Sequence, residues 1–157
     1  MSQQKFLLEA LKLAREAEAR DEVPVGAVVV FEGQIVGRGF NRREELQDPV
    51  GHAEIAALKD AATTLKSWRL VDCDLYVTLE PCPMCLAACQ QARVRKVFYG
   101  AKDEKAGALC LGFHVHDHPK LNHRFEVVFD ENEECSNILS EFFLRRRNER
   151  KSAKLNS

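Results

Sequence analysis

The chain has 157 residues and a formal charge of −1, and its length fits a single domain over 1–157. Its composition, with 45% hydrophobic and 30% charged residues, excludes a disordered or fibrous protein. Glu9, Lys12 and Arg15 interrupt the first apolar run, and no later run reaches membrane-spanning length. We therefore expect no signal peptide, no membrane contact and a cytoplasmic location.

The first predicted elements are a helix and a hairpin. Apolar residues recur at helical spacing from Phe6 to Ala17, and this helix should end before Pro24. The segments VGAVVVF and QIVGRGF then flank Glu32 and Gly33, which predicts a β-hairpin with a short turn.

Helices and strands alternate in the middle of the chain. An Ala- and Leu-rich helix is predicted from His52 to about Leu65, followed by a strand over Asp74–Leu79 that ends at Pro81. A helix over Met84–Ala92 and the short strand KVFYG come next.

The last third of the chain begins with a long segment, Ala101–Leu121, that has no steady period and is predicted to be a functional loop. The strand RFEVVF and a closing helix over Glu131–Lys151 complete the order. A hairpin followed by alternating helices and strands predicts an α/β domain. We expect a three-layer α/β/α sandwich around a central mixed sheet of five strands.

Cysteine usage indicates metal or redox chemistry at one place. In a cytoplasmic chain thiols are reduced, so the close pair Cys82 and Cys85 is not read as a structural disulfide. The remaining cysteines are scattered, and we expect them to be small buried apolar side chains: Cys73, Cys89, Cys110 and Cys135.

A Cys-x-x-Cys pair alone fits a redox dithiol, half of a structural zinc site, or two inert cysteines. Here His52-Ala53-Glu54 lies thirty positions upstream, and both sets stand where a helix is predicted to begin. One imidazole and two thiolates fill three positions of a tetrahedral zinc ion and leave the fourth for water, which predicts a catalytic zinc held by His52, Cys82 and Cys85. Glu54 can then move protons, first as general base and then as general acid.

Two charged segments each allow two interpretations. Between Arg145 and Lys154 six cations stand against the single acid Glu149, which fits either a solvated helix end or a phosphate-binding surface. The segment HVHDHP, with His114, His116 and His118, could hold a second metal, but we favour a polar surface loop.

The chain resembles the cytidine-deaminase-like zinc deaminases, and most closely their bacterial tRNA adenosine deaminase branch, through the motifs VPVGAVVV, GHAEIAAL, LYVTLEPCPMC, VFYGAKDEKAG and FFLRRR. The resemblance implies a cytidine-deaminase-like fold, one zinc ion per subunit and a homodimer. It also implies hydrolytic conversion of adenosine to inosine at the wobble position of a tRNA anticodon loop.

The same resemblance implies a set of residues that contact the flipped nucleotide or its neighbours: Asn41, Asn122, His123, Phe143, Arg145 and Arg146. The amide of Asn41 suits the edge of a purine, although an Asn in a loop also caps backbone groups.

Two other functions remain open at this point. A deaminase of free bases or nucleosides, of guanine or cytosine type, would keep the zinc site but has no use for the basic end of the chain. A non-catalytic zinc-containing RNA-binding module should have a fourth protein ligand or lack the base, yet Glu54 is present.

Overall fold

A mixed five-stranded sheet forms the centre of the computed structural model, which describes residues 3–156. The strands are β1 (Gly26–Phe31), β2 (Gln34–Phe40), β3 (Cys73–Val77), β4 (Lys96–Tyr99) and β5 (Glu126–Phe129). They lie in the order β2-β1-β3-β4-β5. β1 is antiparallel to both β2 and β3, whereas β3, β4 and β5 are parallel to one another. The predicted mixed sheet is thus confirmed.

Helices cover both faces of this sheet. They are α1 (Gln3–Ala19), α2 (Ala53–Leu65), α3 (Pro83–Ala92) and α4 (Glu133–Leu155). α2 and α3 pack on one face, whereas α1 packs on the other with α4 beside it. The arrangement confirms the predicted three-layer sandwich. Within residues 3–156, no helix combines the length and apolar character that a bilayer crossing requires.

The central strands are buried on both faces because helices cover the sheet on each side, and alternate residues of a strand point to opposite faces. Ala27 and Val29 of β1 face α2 and α3. Their neighbours Val28 and Val30 face α1. A third apolar cluster joins α1 to α4 through Leu11, Ala14, Cys135, Ile138 and Leu139.

The predicted short turn of the hairpin is confirmed. Glu32 and Gly33 have φ angles of 49° and 75°. Positive φ at both central residues is the geometry of the tight turns that match the twist of paired strands. Gly33 adopts this conformation without steric cost.

Some predicted boundaries were displaced. β3 ends at Val77 rather than Leu79, and α4 runs over Glu133–Leu155 rather than 131–151. α4 begins where it does because the side chain of Asn132 accepts hydrogen bonds from the N–H groups of Glu134 and Cys135, at 3.0 and 3.3 Å.

The close approach of α2 to β2 sets the position of the functional site. A side chain at Gly39 would clash with the carbonyl of Ala53, the first residue of α2. Glycine at this position therefore lets the start of α2 lie directly on the sheet.

Candidate active site

The beginnings of α2 and α3 bring the predicted metal ligands together. His52 is the N-cap of α2 and Cys82 is the N-cap of α3, whose first residue is Pro83. Cys85 lies within the first turn of α3 and is fully buried. The side chain of His52 makes no cap hydrogen bond to α2, so its imidazole remains available for another partner.

The donor atoms are spaced as one zinc ion requires. Nδ1 of His52 lies 3.6 Å from Sγ of Cys82 and 3.5 Å from Sγ of Cys85. With Zn–N near 2.1 Å and Zn–S near 2.3 Å, tetrahedral geometry separates nitrogen and sulfur by about 3.6 Å. Within residues 3–156 no fourth cysteine, histidine or carboxylate joins this group, so the ligand set is that of an open site.

Electrostatics favour a thiolate at Cys82. A hydrogen bond from Cys85 lowers the pKa of the Cys82 thiol to about 4, and the neighbouring His52 acts in the same direction. The pKa of Cys85 is raised by the same hydrogen bond and by burial. The hydrogen bond to Cys82 also raises the pKa of His52.

Glu54 is a buried carboxylate beside these ligands, and only 4% of its surface is exposed. Burial raises its pKa to about 7. A carboxyl group with a pKa near the working pH can both accept and release a proton.

A small pocket of about 190 Å³ opens over Glu54. Its lining consists of Val23, Val25, Asn41, Arg43, His52, Ala53, Glu54, Leu79, Glu80, Cys82, Asp103 and Ala106. Drug-sized ligands occupy pockets of about 300 Å³ or more, so this volume suits a single heteroaromatic base.

Two buried acids, which the sequence analysis missed, hold the walls of this pocket. Glu22 accepts hydrogen bonds from the N–H groups of Glu44 and Glu45 at 3.1 and 2.7 Å, and so fixes the loop after β2. Glu80 accepts from the N–H groups of Asp103 and Cys110 at 3.3 and 3.1 Å, and so fixes the loop after β4. The sequence contained one indication of the importance of Glu80, since this residue directly precedes Pro81 and the predicted metal ligands.

The cysteine prediction was wrong at one position. Cys73, Cys89 and Cys135 are buried, but Cys110 is exposed in the loop after β4. Its thiol lies 3.1 Å from Oε1 of Glu80, so it is a polar partner of that carboxylate rather than a core side chain.

Asn41 lies in the pocket wall and also caps its own loop. Its Oδ1 accepts from the N–H of Arg43 at 3.1 Å, and its Nδ2 donates to the carbonyl of Val23 at 3.1 Å. The loop-capping interpretation is therefore observed. One N–H and one oxygen lone pair of the amide remain for a ligand.

A second depression of about 400 Å³ continues from the pocket toward α4. The two cavities share Val23, Asn41 and Arg43, so they form one groove. α4 contributes Phe142, Phe143, Arg146, Arg147 and Arg150 to it. We call this second cavity the α4 groove.

The remaining predicted contact residues lie elsewhere. Arg145 lines a separate shallow depression on α4 with Glu149, which is outside the α4 groove. Asn122 and His123 line neither cavity, and Nε2 of His123 lies 2.8 Å from the carbonyl of Val94. Their predicted role in substrate binding remains a prediction.

Comparison with known proteins identifies the family. The sequence profile of the MafB19-like deaminases matches residues 1–147. The chain belongs to this deaminase family. This deaminase is 45% identical over 148 residues to a tRNA-specific adenosine deaminase of Aquifex aeolicus (strain VF5), with 94% of the chain and 98% of the relative covered.

Solved structures show the same fold as this deaminase. One comes from work on A-to-I editing by tRNA:A34 deaminases at the wobble position of transfer RNA. It is 42% identical to this deaminase with a TM-score of 0.79, and the alignment covers 89% of this chain and 99% of the solved one. A guanine deaminase from Bacillus subtilis has 35% identity and a TM-score of 0.64, with 94% and 95% covered.

Proposed function

We propose that this deaminase converts adenosine to inosine at the wobble position of a tRNA anticodon loop. The observation that carries the proposal is the single groove that joins the Glu54 pocket to the cations of α4. The similarity to tRNA-specific adenosine deaminases supports it. A tRNA substrate would also be consistent with action in the cytoplasm.

His52, Cys82 and Cys85 would hold one zinc ion, which supplies a Lewis acid that lowers the pKa of water. Glu54 would take a proton from the water that attacks C6 of the adenine ring, and would pass it to the exocyclic nitrogen. The other proton of the water would pass to N1 of the ring, the C–N bond would break, and ammonia would leave behind the carbonyl of inosine. The raised pKa of Glu54 suits both transfers.

The pocket would bind the base through its shape and through one amide. Val23, Leu79 and Ala53 offer apolar surface for the ring faces. The remaining N–H and lone pair of Asn41 would bond to the edge of the purine. An unpaired loop nucleotide reaches such a pocket at modest unstacking cost, which favours a single-stranded loop as substrate.

The α4 groove would bind the neighbouring nucleotides. Arg43, Arg147 and Arg150 make no ion pair with any residue in the range 3–156, so their charges are available to phosphates. Phe143 is 45% exposed and offers an aromatic face for stacking. A deaminase of free bases would not need this surface.

We also propose a homodimer, formed through the outer face of α2 and α3. This face carries an almost wholly apolar groove that includes Ile55, Leu58, Ala62, Trp68 and Ala88. Trp68 is 56% exposed, and large exposed aromatic residues are enriched at protein interfaces. Sedimentation equilibrium should give twice the chain mass for the parent and for Leu155→Glu, but the monomer mass for Trp68→Glu.

The test of the proposed reaction uses zinc-loaded protein and a tRNA transcript with adenosine at the wobble position. Inosine should form in this transcript, but free adenosine, guanine and cytosine should remain unchanged. The matched control transcript carries guanosine at the same position. Product from a free base alone would contradict the proposed substrate, and the likeness to guanine deaminase makes guanine the most informative competitor.

A further inference from the structure

The loop between β4 and β5 contains a cluster of possible metal ligands that the active site does not use. Val115–Asp117 form a short 3-10 turn, and His114 directly precedes it. One ligand atom from each of His114, His116 and Asp117 lies within 4.8 Å of the others. None of these residues lines the Glu54 pocket or the α4 groove.

His116 is the fixed member of this cluster. Its backbone carbonyl accepts a hydrogen bond from the N–H of Phe125 at 3.0 Å, and its ring meets the ring of Phe125 edge-on at 6.1 Å. Only 12% of its side chain is exposed. The ring is therefore held in one orientation before any ligand binds.

The ring nitrogens of His116 lack strong partners. Nδ1 is buried and has no hydrogen-bond partner among residues 3–156. Nε2 lies 3.8 Å from Oδ2 of Asp117, beyond hydrogen-bond distance. Buried polar atoms without a partner are uncommon and costly. Burial also lowers the pKa of His116, which favours the neutral imidazole that metals bind.

We propose that His114, His116 and Asp117 form a second cation site, which binds a divalent transition-metal ion such as zinc. Two imidazoles and one carboxylate suit zinc, nickel or copper, whereas calcium and magnesium prefer sites made of oxygen atoms. Water would complete the coordination, because the cluster lies at the surface.

Small movements bring the ligands onto one ion. Nitrogen and oxygen ligands of a tetrahedral zinc ion lie about 3.4 Å apart. His114 and Asp117 are exposed and can rotate toward the fixed ring of His116. The rings of His114 and His116 are already near each other, with centroids 5.6 Å apart.

An ion at this site would stiffen the loop that forms part of the pocket wall. Asp103 and Ala106, near the start of the same loop, line the Glu54 pocket. Glu80 fixes the loop as far as Cys110, and the cation would fix the segment that follows.

The test is a zinc titration of tag-free protein that already holds one zinc ion per chain. Calorimetry monitors the titration, and metal analysis after gel filtration counts the bound zinc ions. One further zinc ion per chain should bind with micromolar affinity, whereas magnesium and calcium should not bind. His114→Asn and Asp117→Asn should each weaken this step by at least about tenfold. His118→Asn is the matched control, since His118 lies in the same segment outside the cluster, and it should bind like the parent.

Thermal unfolding gives a second readout that is independent of activity. Zinc beyond the first equivalent should raise the Tm of the parent and of His118→Asn, but not that of His114→Asn. His114 is exposed, so its replacement leaves the core intact. Absence of a second equivalent in the parent would overturn the proposal. The proposal would also be overturned if His114→Asn bound the second zinc ion as tightly as the parent, or if His118→Asn lost this binding to the same extent as His114→Asn.

Discussion

Replacing Glu80 with alanine tests whether one buried carboxylate holds the wall of the substrate pocket. Glu80 is 3% exposed and accepts hydrogen bonds from two backbone N–H groups, those of Asp103 and Cys110. Hydrogen bonds to a charged acceptor contribute about 1.5–3 kcal/mol each. Because Cys110 is exposed and water can replace part of the loss, we expect the lower end of the sum, about 3 kcal/mol.

The assay is urea unfolding of zinc-loaded Glu80→Ala at a fixed protein concentration, since zinc and self-association both change apparent stability. Glu104→Ala is the matched control, because this acid is exposed in the same loop and its loss should change stability by less than about 0.5 kcal/mol. Release of Asp103 and Ala106 from the pocket wall should also lower kcat/KM on the tRNA substrate by about tenfold to hundredfold. A stability within about 1 kcal/mol of the parent, with unchanged kcat/KM, would refute the positioning role of Glu80.

Three further substitutions test the proposed role of Glu54, the proposed RNA-binding surface and the packing of α2. Glu54→Gln should lower kcat by about 100-fold or more while metal analysis still finds one zinc per chain, and retained turnover would contradict the mechanism. Asp21→Asn should tighten binding of a labelled anticodon stem-loop about twofold to fivefold at low salt, because the Asp21 carboxylate lies 3.2 Å from Arg146 and 3.8 Å from Arg145. Fluorescence anisotropy measures the Kd, and Glu9→Gln on α1 is the control. An unchanged Kd for Asp21→Asn would contradict the prediction. Gly39→Val should destabilise the protein by about 3 kcal/mol or more, because a valine side chain at this position would meet the backbone of α2. If chemical denaturation gives the same free energy of unfolding as for the parent, the close packing of α2 on β2 is contradicted.

The residues proposed to bind zinc and to move protons could be selected from the sequence because the spacing within each pair is local. Cys82 and Cys85 stand one helical turn apart, and His52 and Glu54 share the start of another helix. Residue type and spacing along the chain therefore already indicate which atoms can reach one ion. The five strands and the hairpin turn were predictable for the same reason, since short apolar runs and the residues of a short turn are local features of the sequence.

The walls of the pocket depended on tertiary structure. Asn41, Glu54, Glu80 and Asp103 come from four separate parts of the chain, and they meet only because β1 and β3 lie side by side at the centre of the sheet. No local spacing encodes which loop N–H groups a buried acid such as Glu22 will bind, because the partners lie more than twenty residues away.

The direction of the side chains on α4 was likewise decided by packing. FFLRRR identifies a basic helix, but its adjacent arginines point to different surfaces, since successive residues on a helix are about 100° apart. Burial of Phe142 against the rest of the domain sets the rotation of the helix, and this rotation places Arg146 in the groove and Arg145 outside it. By itself the sequence determined the order of the elements and predicted which residues meet at the site, whereas contacts between distant segments decided the shape of the pocket around them.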